Sequence, residues 1–244
     1  MSVNVQVSGI VLQTYDQGEG DLVVVLLTPE NGKVPLKVKG AKKPGAKVAP
    51  HLQMLSHVSV TAVAPVWGNL PIVVGAEPLN GFKLNQSQLP GALAAIGIVE
   101  AFVSEGVPAP RTYLGLLDFL RNMNGPEARL ERLILTTLTE SGHAPCVRHC
   151  VLCAKAMGSA SATFSVIQGG LLCANCRRAD YEAMPVSPAV VVLLQNLGDN
   201  RGSKEIGGAG EPAALNSVKL ILNQFVQYVS PRPIYAFEFL NLFH

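Results

Sequence analysis

Five cysteines, which all lie in one stretch of the 244-residue chain, are the residues best suited to do chemistry. They include two C-x-x-C pairs, which residues 154–172 separate. Two residues between the cysteines of a pair let the chain turn so that both sulfurs reach one metal ion at about 2.3 Å. The spacing therefore predicts a structural zinc, whose four cysteinates leave no open position for a catalytic water, and a redox-active pair is the alternative. The predicted ligands are Cys150, Cys153, Cys173 and Cys176.

The fifth cysteine, Cys146, does not fit the pair spacing. It forms a C-x3-C motif with Cys150, so we expect it outside the metal site, although it could replace a lost ligand. His143 and His149 flank the stretch, and we expect them near the surface and not as ligands. A nucleobase deaminase needs H-x-E before P-C-x-x-C, and the chain contains neither part of that pattern.

The cysteine pairs must be brought together by the chain between and around them. Phe164 and the glycines Gly169 and Gly170 suit a β-hairpin that returns the second pair to the first. Helical spacing precedes and follows this stretch, at residues 86–104, 112–123, 126–141, 187–197 and 212–228. Residues 198–210 are rich in glycine and are expected to form a loop.

The first part of the chain has the pattern of β structure. Five short segments with turn signals between them are expected to be antiparallel strands: VQVSGIVLQT, LVVVLLT, GKVPLKVKGA, HVSVTAVAPVW and NLPIVVGAEPL. Such a set predicts a small Greek-key barrel, of which the OB-fold is the commonest, with a short helix at LQMLSH. The chain is therefore expected to be an α+β multidomain protein. Its predicted domains are an N-terminal OB-fold β-barrel (1–81), an α-helical domain (82–145 and 181–244) and an inserted four-cysteine zinc module (146–180).

Two zones of the chain are basic, although the net charge is only +2. No acidic residue lies between Glu30 and Glu77, so the lysines there have no carboxylate near them in sequence, and DNA phosphates are the expected partners. The second zone is in the cysteine stretch; a solvated charged face is the alternative for both. The candidate DNA-binding residues are Lys37, Lys39, Lys42, Lys43, Lys47, Arg177 and Arg178.

Other features narrow the class of protein. The longest apolar runs, LVVVLL and AVVVLL, are too short to span a bilayer, and the start MSVNVQVSG has no secretory pattern. We therefore expect no membrane association and a cytoplasmic location, where reduced C-x-x-C pairs more often bind metal than form disulfides. Trp67, Tyr15 and Phe82 are candidates to stack on bases, although a place in the core is the alternative for each.

Several stretches resemble the family of the bacterial recombination mediator RecO over nearly the whole chain. They are GIVLQTYDQGEGDLVVVLLTPENGK followed by VKGAKKP, then SGHAPCVRHCVLC, FSVIQGGLLCANC and the RPIYAFEFL tail. In that family the first metal cysteine falls five residues after the proline of the GH-x-P motif, a position that Cys150 holds here. The family's fold implies an OB domain, a helical domain and a zinc module.

The resemblance also implies a function in DNA repair. Family members bind single- and double-stranded DNA, anneal complementary strands, engage single-stranded DNA-binding protein and, with RecR, help to load RecA. The expected protein is therefore non-catalytic and nucleoid-associated. The chain departs from the family in its all-lysine basic loop, since lysine acts as a point charge and not as a bidentate ligand of phosphate.

Two alternative functions, a protein scaffold and a nuclease, belong to other classes of protein. A scaffold that acts mainly through protein contacts would suit the apolar helices, with Arg121, Arg129 and Arg132 as the basic rim of a peptide groove. A metal-dependent nuclease would need clustered carboxylates, and the tight acidic group is Asp16, Glu19 and Asp21, at a predicted hairpin turn.

Overall fold

The computed structural model describes residues 3–64, 69–124, 129–158, 161–198 and 212–234. The chain forms two compact units, Met1–Met123 and Asn124–His244. Trp67 and nearly all of the glycine-rich stretch 198–210 lie outside the described residues. No helix in the described part of the chain is long and apolar enough to cross a membrane.

The first unit contains the expected OB-type barrel. Its strands are β1 (Val3–Gln17), β2 (Asp21–Thr28), β3 (Gly32–Val38), β4 (His57–Ala64) and β5 (Ile72–Pro78). They close in the order β1-β2-β3-β5-β4, and β1 pairs with both β2 and β4. All neighbours are antiparallel except β3 and β5, which meet in parallel, so the expectation of a wholly antiparallel set is wrong at the closure.

The short helix expected at LQMLSH is wrong in position. A single 3-10 turn forms just before it, at Ala49–His51. Leu52 is buried in the barrel core, and Leu55 has a left-handed φ of 66°. Leu55 donates its N–H to the Val11 carbonyl at 3.0 Å, and the Ser56 carbonyl accepts from the Val11 N–H at 2.8 Å. The segment therefore forms backbone hydrogen bonds with β1 and not the hydrogen bonds of a helix.

Two helices complete the first unit: α1 (Leu89–Phe102) and α2 (Pro110–Arg121). Lys33 of β3 donates its Nζ to the Glu100 carbonyl of α1 at 2.8 Å. His57 at the start of β4 is buried, and its Nε2 lies 3.0 Å from the Tyr113 hydroxyl of α2. The helices of the chain are thus divided between the two units, and the predicted boundary at residues 81 and 82 stays a prediction.

The second unit combines three helices with a small sheet. The helices are α3 (Arg129–Glu140), α4 (Pro188–Gly198) and α5 (Pro212–Val229). The predicted hairpin is present as β6 (Ala162–Ser165) and β7 (Gly170–Leu172), and a third strand, β8 (Met184–Val186), was not predicted. Phe164 of β6 is fully buried and meets Phe225 of α5 edge-on, with ring centroids 5.8 Å apart. The hairpin is therefore anchored on the helices by its aromatic side chain.

Candidate metal centre and nucleic-acid interface

Four cysteine sulfurs converge at one point of the second unit. The Sγ atoms all lie within 4.8 Å of one another, and they belong to Cys150, Cys153, Cys173 and Cys176. The Sγ atoms of Cys153 and Cys173 are 3.7 Å apart. Four sulfurs arranged tetrahedrally at about 2.3 Å from a zinc ion would be about 3.8 Å from each other. The donor set therefore fits a tetrahedral metal ion of the size and softness of zinc.

Within the cluster the pKa of one cysteine is lowered and that of another is raised, so the electrostatics favour some thiolates but disfavour four at once. Burial raises the pKa of the Cys150 thiol, but backbone N–H groups, first that of Cys173, donate to its sulfur, and the net pKa is lowered to about 6. The pKa of Cys176 is raised to about 12, because its sulfur shares hydrogen bonds with Cys153 and Cys173. Four sulfurs at this spacing can all be thiolates only when a cation offsets their mutual repulsion.

Cys146 lies outside this cluster and has a structural contact of its own. Its backbone pairs with the hairpin: the Cys146 N–H donates to the Gly169 carbonyl at 2.9 Å, and the Leu171 N–H donates to the Cys146 carbonyl at 2.8 Å. Its thiol donates to the His149 carbonyl at 3.2 Å. A Cβ at Gly170 would collide with the Cys146 carbonyl oxygen, so this close approach requires glycine. The Gly169-Gly170 pair in the sequence indicates the hairpin but does not by itself indicate this close approach.

Two polar side chains that hold the cysteine module in place were missed by sequence reasoning. Gln195, in the apolar sequence of α4, donates its Nε2 to the carbonyls of Val147 at 2.9 Å and Met157 at 2.8 Å. Ser165 of β6 donates its Oγ to the Asp180 carboxylate at 2.6 Å. An amide directly after the apolar run VVVLL was the available signal for Gln195.

The basic segment that comprises the end of β3 and the loop after it, residues 37–47, is termed the lysine loop. Val38 is buried in the barrel core, and Lys37 is half-buried on the outside of β3. Gly40 has a φ of 63° and donates its N–H to Asp21 Oδ1 at 2.8 Å, which starts the turn. The Lys42 N–H donates to the Gly20 carbonyl at 3.2 Å. The loop is therefore fastened to the hairpin between β1 and β2.

No carboxylate lies near these lysines in sequence, but the fold supplies one to each of two of them. Lys37 Nζ lies 3.0 Å from Asp21 Oδ2, and Lys42 Nζ lies 2.6 Å from Asp16 Oδ2. The carboxylates precede the acid-free stretch, and barrel pairing places the β1–β2 hairpin beside the loop. Asp16 and Asp21, two of the three acidic residues considered for a nuclease, are thus each engaged with a lysine.

Three lysines of the loop remain available to a ligand. Lys39, Lys43 and Lys47 are exposed, and none of them forms an ion pair with a described residue. Tyr15 of β1 is exposed and shares a row of the sheet with Lys37, because both residues pair with Val23. Side chains in one row point to the same face. The face of the sheet that carries Lys37 therefore also carries an exposed aromatic ring.

The basic residues of the cysteine module lie directly after its last cysteine. Arg177 and Arg178 form a 3-10 turn, Arg177–Ala179, are exposed and make no ion pair within the described part of the chain. Tyr181 follows them and is 92% exposed. Sequence reasoning missed Tyr181, although an aromatic residue just after two arginines was a usable signal.

The other residues considered from the sequence have different surroundings. Phe82 is half-buried and stacks on the buried His57, with ring centroids 6.2 Å apart. Arg121 is exposed on α2, Arg132 is half-buried on α3, and the side chain of Arg129 lies outside the described residues. His143 and His149 are exposed, and neither belongs to the sulfur cluster.

The fold and the site define a class of protein: an OB-type barrel followed by helices and a four-cysteine module. OB barrels bind oligonucleotides or oligosaccharides at their open strand face and loops. The family model described as Recombination protein O N terminal matches residues 1–82, and that of Recombination protein O C terminal matches residues 87–235. The chain belongs to the RecO family, as its motifs indicated, and its role is in recombinational DNA repair.

Curated members of this family are similar to the chain over most of its length. The DNA repair protein RecO of Roseiflexus sp. (strain RS-1) is 28% identical over 95% of this chain and 83% of its own length. The DNA repair protein RecO of Streptomyces griseus is 30% identical over 76% of this chain and 79% of its own length. That of Thermobifida fusca is 30% identical over 76% of this chain and 78% of its own length.

Proposed function

We propose that the chain is a recombination mediator that binds single- and double-stranded DNA through its lysine loop and promotes strand annealing without catalytic turnover. The observation that carries this proposal is the set of three exposed lysines on one loop of the OB barrel, Lys39, Lys43 and Lys47. Annealing forms no covalent bond. It requires cations that offset the repulsion between phosphates while two strands are held close together.

The cysteine module supplies a second proposed contact for DNA. Arg177 and Arg178 offer two guanidinium groups, and the exposed ring of Tyr181 is next to them in sequence. Cations beside an exposed aromatic ring are the usual means of holding a single strand, because every base presents a π-face. Recognition of this kind is sequence-independent, since phosphates and π-faces carry no sequence information.

The metal and the partners follow from the same proposal. Zinc would hold the four cysteines together as a structural ion, and the module would keep the arginine-bearing turn in place. By its family, the chain would act with RecR and single-stranded DNA-binding protein to load RecA, and it would associate with the nucleoid. A non-catalytic scaffold remains the second candidate, favoured by exposed apolar residues on the helices, among them Leu114, Leu220 and Tyr228.

The lysine loop is tested by titrating fluorescent single-stranded DNA at several salt concentrations. Each phosphate that a lysine neutralises adds about 0.7 to the slope of log affinity against log salt. Lys39→Ala combined with Lys43→Ala should therefore flatten the slope by about 1 to 1.5 and weaken binding to all sequences alike. Lys83→Ala, an exposed lysine outside the loop, is the matched control and should leave the slope unchanged.

The outcomes separate the candidate functions. An unchanged slope in the folded double variant would remove the lysine loop as the DNA site and favour Arg177 and Arg178. Weak binding by the unaltered chain, together with tight binding of an acidic, apolar C-terminal peptide in calorimetry, would favour the scaffold. Cleavage of labelled DNA in the presence of magnesium would contradict a non-catalytic role.

A further inference from the structure

The two aspartates of the β1–β2 hairpin contact the lysine loop in different ways. Asp21 has two partners, because its Oδ2 lies 3.0 Å from Lys37 Nζ and its Oδ1 accepts the Gly40 N–H at 2.8 Å. The side chains of Asp21 and Lys37 are each 28% exposed. The Gly40 N–H and then Lys37 hold the pKa of Asp21 below its ordinary value. This pair is part of the loop's own structure.

The pair between Asp16 and Lys42 is open to solvent. The Asp16 side chain is 67% exposed and that of Lys42 is 40% exposed, and the contact between Lys42 Nζ and Asp16 Oδ2 is 2.6 Å long. No backbone donor of a described residue binds the Asp16 carboxylate. An exposed ion pair of this kind contributes about 0 to 1 kcal/mol, so a strong anion can displace one partner.

A DNA phosphate is such an anion, and it would approach the same ammonium group. The lysine loop offers three cations that are free of ion pairs with described residues, Lys39, Lys43 and Lys47, and Lys42 stands among them in sequence. A phosphate drawn to its neighbours would meet a Lys42 whose charge is already offset by a carboxylate. Asp16 therefore occupies the position that a phosphate oxygen would take.

We propose that Asp16 is an internal competitor of DNA, which holds Lys42 in the free protein and must release it before Lys42 can bind a phosphate. The inference rests on the proposed function, since it assigns a regulatory residue to the lysine loop. Its consequence is that the loop binds DNA less tightly than its number of lysines would allow. Lys42 then contributes only after other lysines have brought a strand to the loop.

The experiment is a double-variant cycle in the full chain, read as the affinity for a fluorescent oligothymidylate at fixed salt. Asp16→Asn should raise the affinity about two- to fivefold, the range that an exposed ion pair of up to about 1 kcal/mol allows. The gain should disappear when Lys42→Ala is also present, because no ammonium is left to release. It should persist with Lys43→Ala, whose side chain makes no ion pair with a described residue. Glu19→Gln, also exposed on this hairpin, is the control for loss of a negative charge.

The cycle distinguishes this inference from the proposed function. If Lys43→Ala does not weaken binding, the lysine loop is not the DNA site and the proposed function fails. If Lys43→Ala weakens binding but Asp16→Asn gives no gain, only the competitor role is overturned. An equal gain with and without Lys42, or an equal gain from Glu19→Gln, would assign the effect to general charge repulsion and would also overturn it.

Discussion

The cysteine module and the lysine loop are both rich in side chains that bind ligands, yet they are organised by different kinds of contact. The sulfurs of the module belong to two C-x-x-C pairs, and a hairpin between the pairs brings them within 4.8 Å of each other. The carboxylates that meet the loop come from the β1–β2 hairpin, and no motif in the sequence links them to the lysines. A recognisable ligand motif therefore marks the first site, whereas only the topology of the barrel brings the second together.

We also expect substitutions to change the stability of the cysteine module far more than that of the lysine loop. The module gathers four potential anions at one point, and we propose that a cation keeps them there, so the loss of a ligand should remove most of the module's folding free energy. The loop is fastened by one half-buried and one exposed ion pair together with backbone hydrogen bonds. Changes in the loop should therefore alter binding and leave the fold intact.

The largest expected effect is the loss of a sulfur from the cluster. Cys150→Ser should abolish stoichiometric zinc and unfold the module locally, because a structural zinc supplies about 10 kcal/mol or more of folding free energy. Cys146→Ser is the matched control, since its sulfur lies outside the cluster, and it should retain about one zinc per chain. Metal analysis of both purified variants checks this. Absence of zinc from the unaltered chain, or its loss only in Cys146→Ser, would contradict the ligand set.

A smaller effect is expected where the hairpin meets Cys146. In Gly170→Ala the new methyl group would collide with the Cys146 carbonyl oxygen, so the backbone must shift. Overpacking of this kind costs about 1 to 3 kcal/mol, and the thermal midpoint of the second unit should fall accordingly. Gly158→Ala in the same module is the control, since its Cβ would meet no atom within 4 Å. Equal midpoints for the two variants would show that the approach of Cys146 to the hairpin is not a constraint on the module.

These contacts explain how much of the molecule the sequence alone predicts. Strand alternation and helical spacing predict the barrel and the five α-helices of the described residues, because each pattern reports a local period. The cysteine spacing predicts the cluster because two C-x-x-C pairs are a recognisable ligand motif. The parallel closure of β3 against β5, the third strand of the small sheet and the Gln195 contacts were not predicted, because neither a local period nor a motif marks which segments meet. The carboxylate partners of Lys37 and Lys42 belong with these.

The barrel contains a buried histidine, His57, which predicts that its stability depends on pH. Burial, and then the charge of Arg121, lowers the pKa of His57 from its ordinary value of 6.5. Below that value the unfolded chain binds a proton that the folded state resists, so the free energy of unfolding should decrease as pH falls below 6.5. Thermal melts of the unaltered chain at a series of pH values from about 8 to about 5 measure this dependence of stability on pH.

The matched variants identify the histidine responsible. His57→Gln should weaken the pH dependence, although it also lowers stability at neutral pH by disturbing the contact with Tyr113. His51→Gln removes an exposed histidine and should leave the dependence as it is. The same pH dependence in His57→Gln and in the unaltered chain would rule out His57 as its source.

The smallest expected effect concerns the stability of the lysine loop itself. Lys43→Ala and Asp16→Asn each change an exposed side chain, and exposed substitutions usually alter the free energy of unfolding by no more than about 0.5 kcal/mol. Denaturant melts of the first unit should therefore overlay those of the unaltered chain, even where DNA affinity changes severalfold. A loss of stability comparable to that of Gly170→Ala would mean that the loop's charges support the barrel, because removing a group that only binds a ligand has no such cost. The distinction between the cysteine module, whose fold is expected to depend on its metal, and the lysine loop, whose charges are expected only to bind a ligand, would then be wrong.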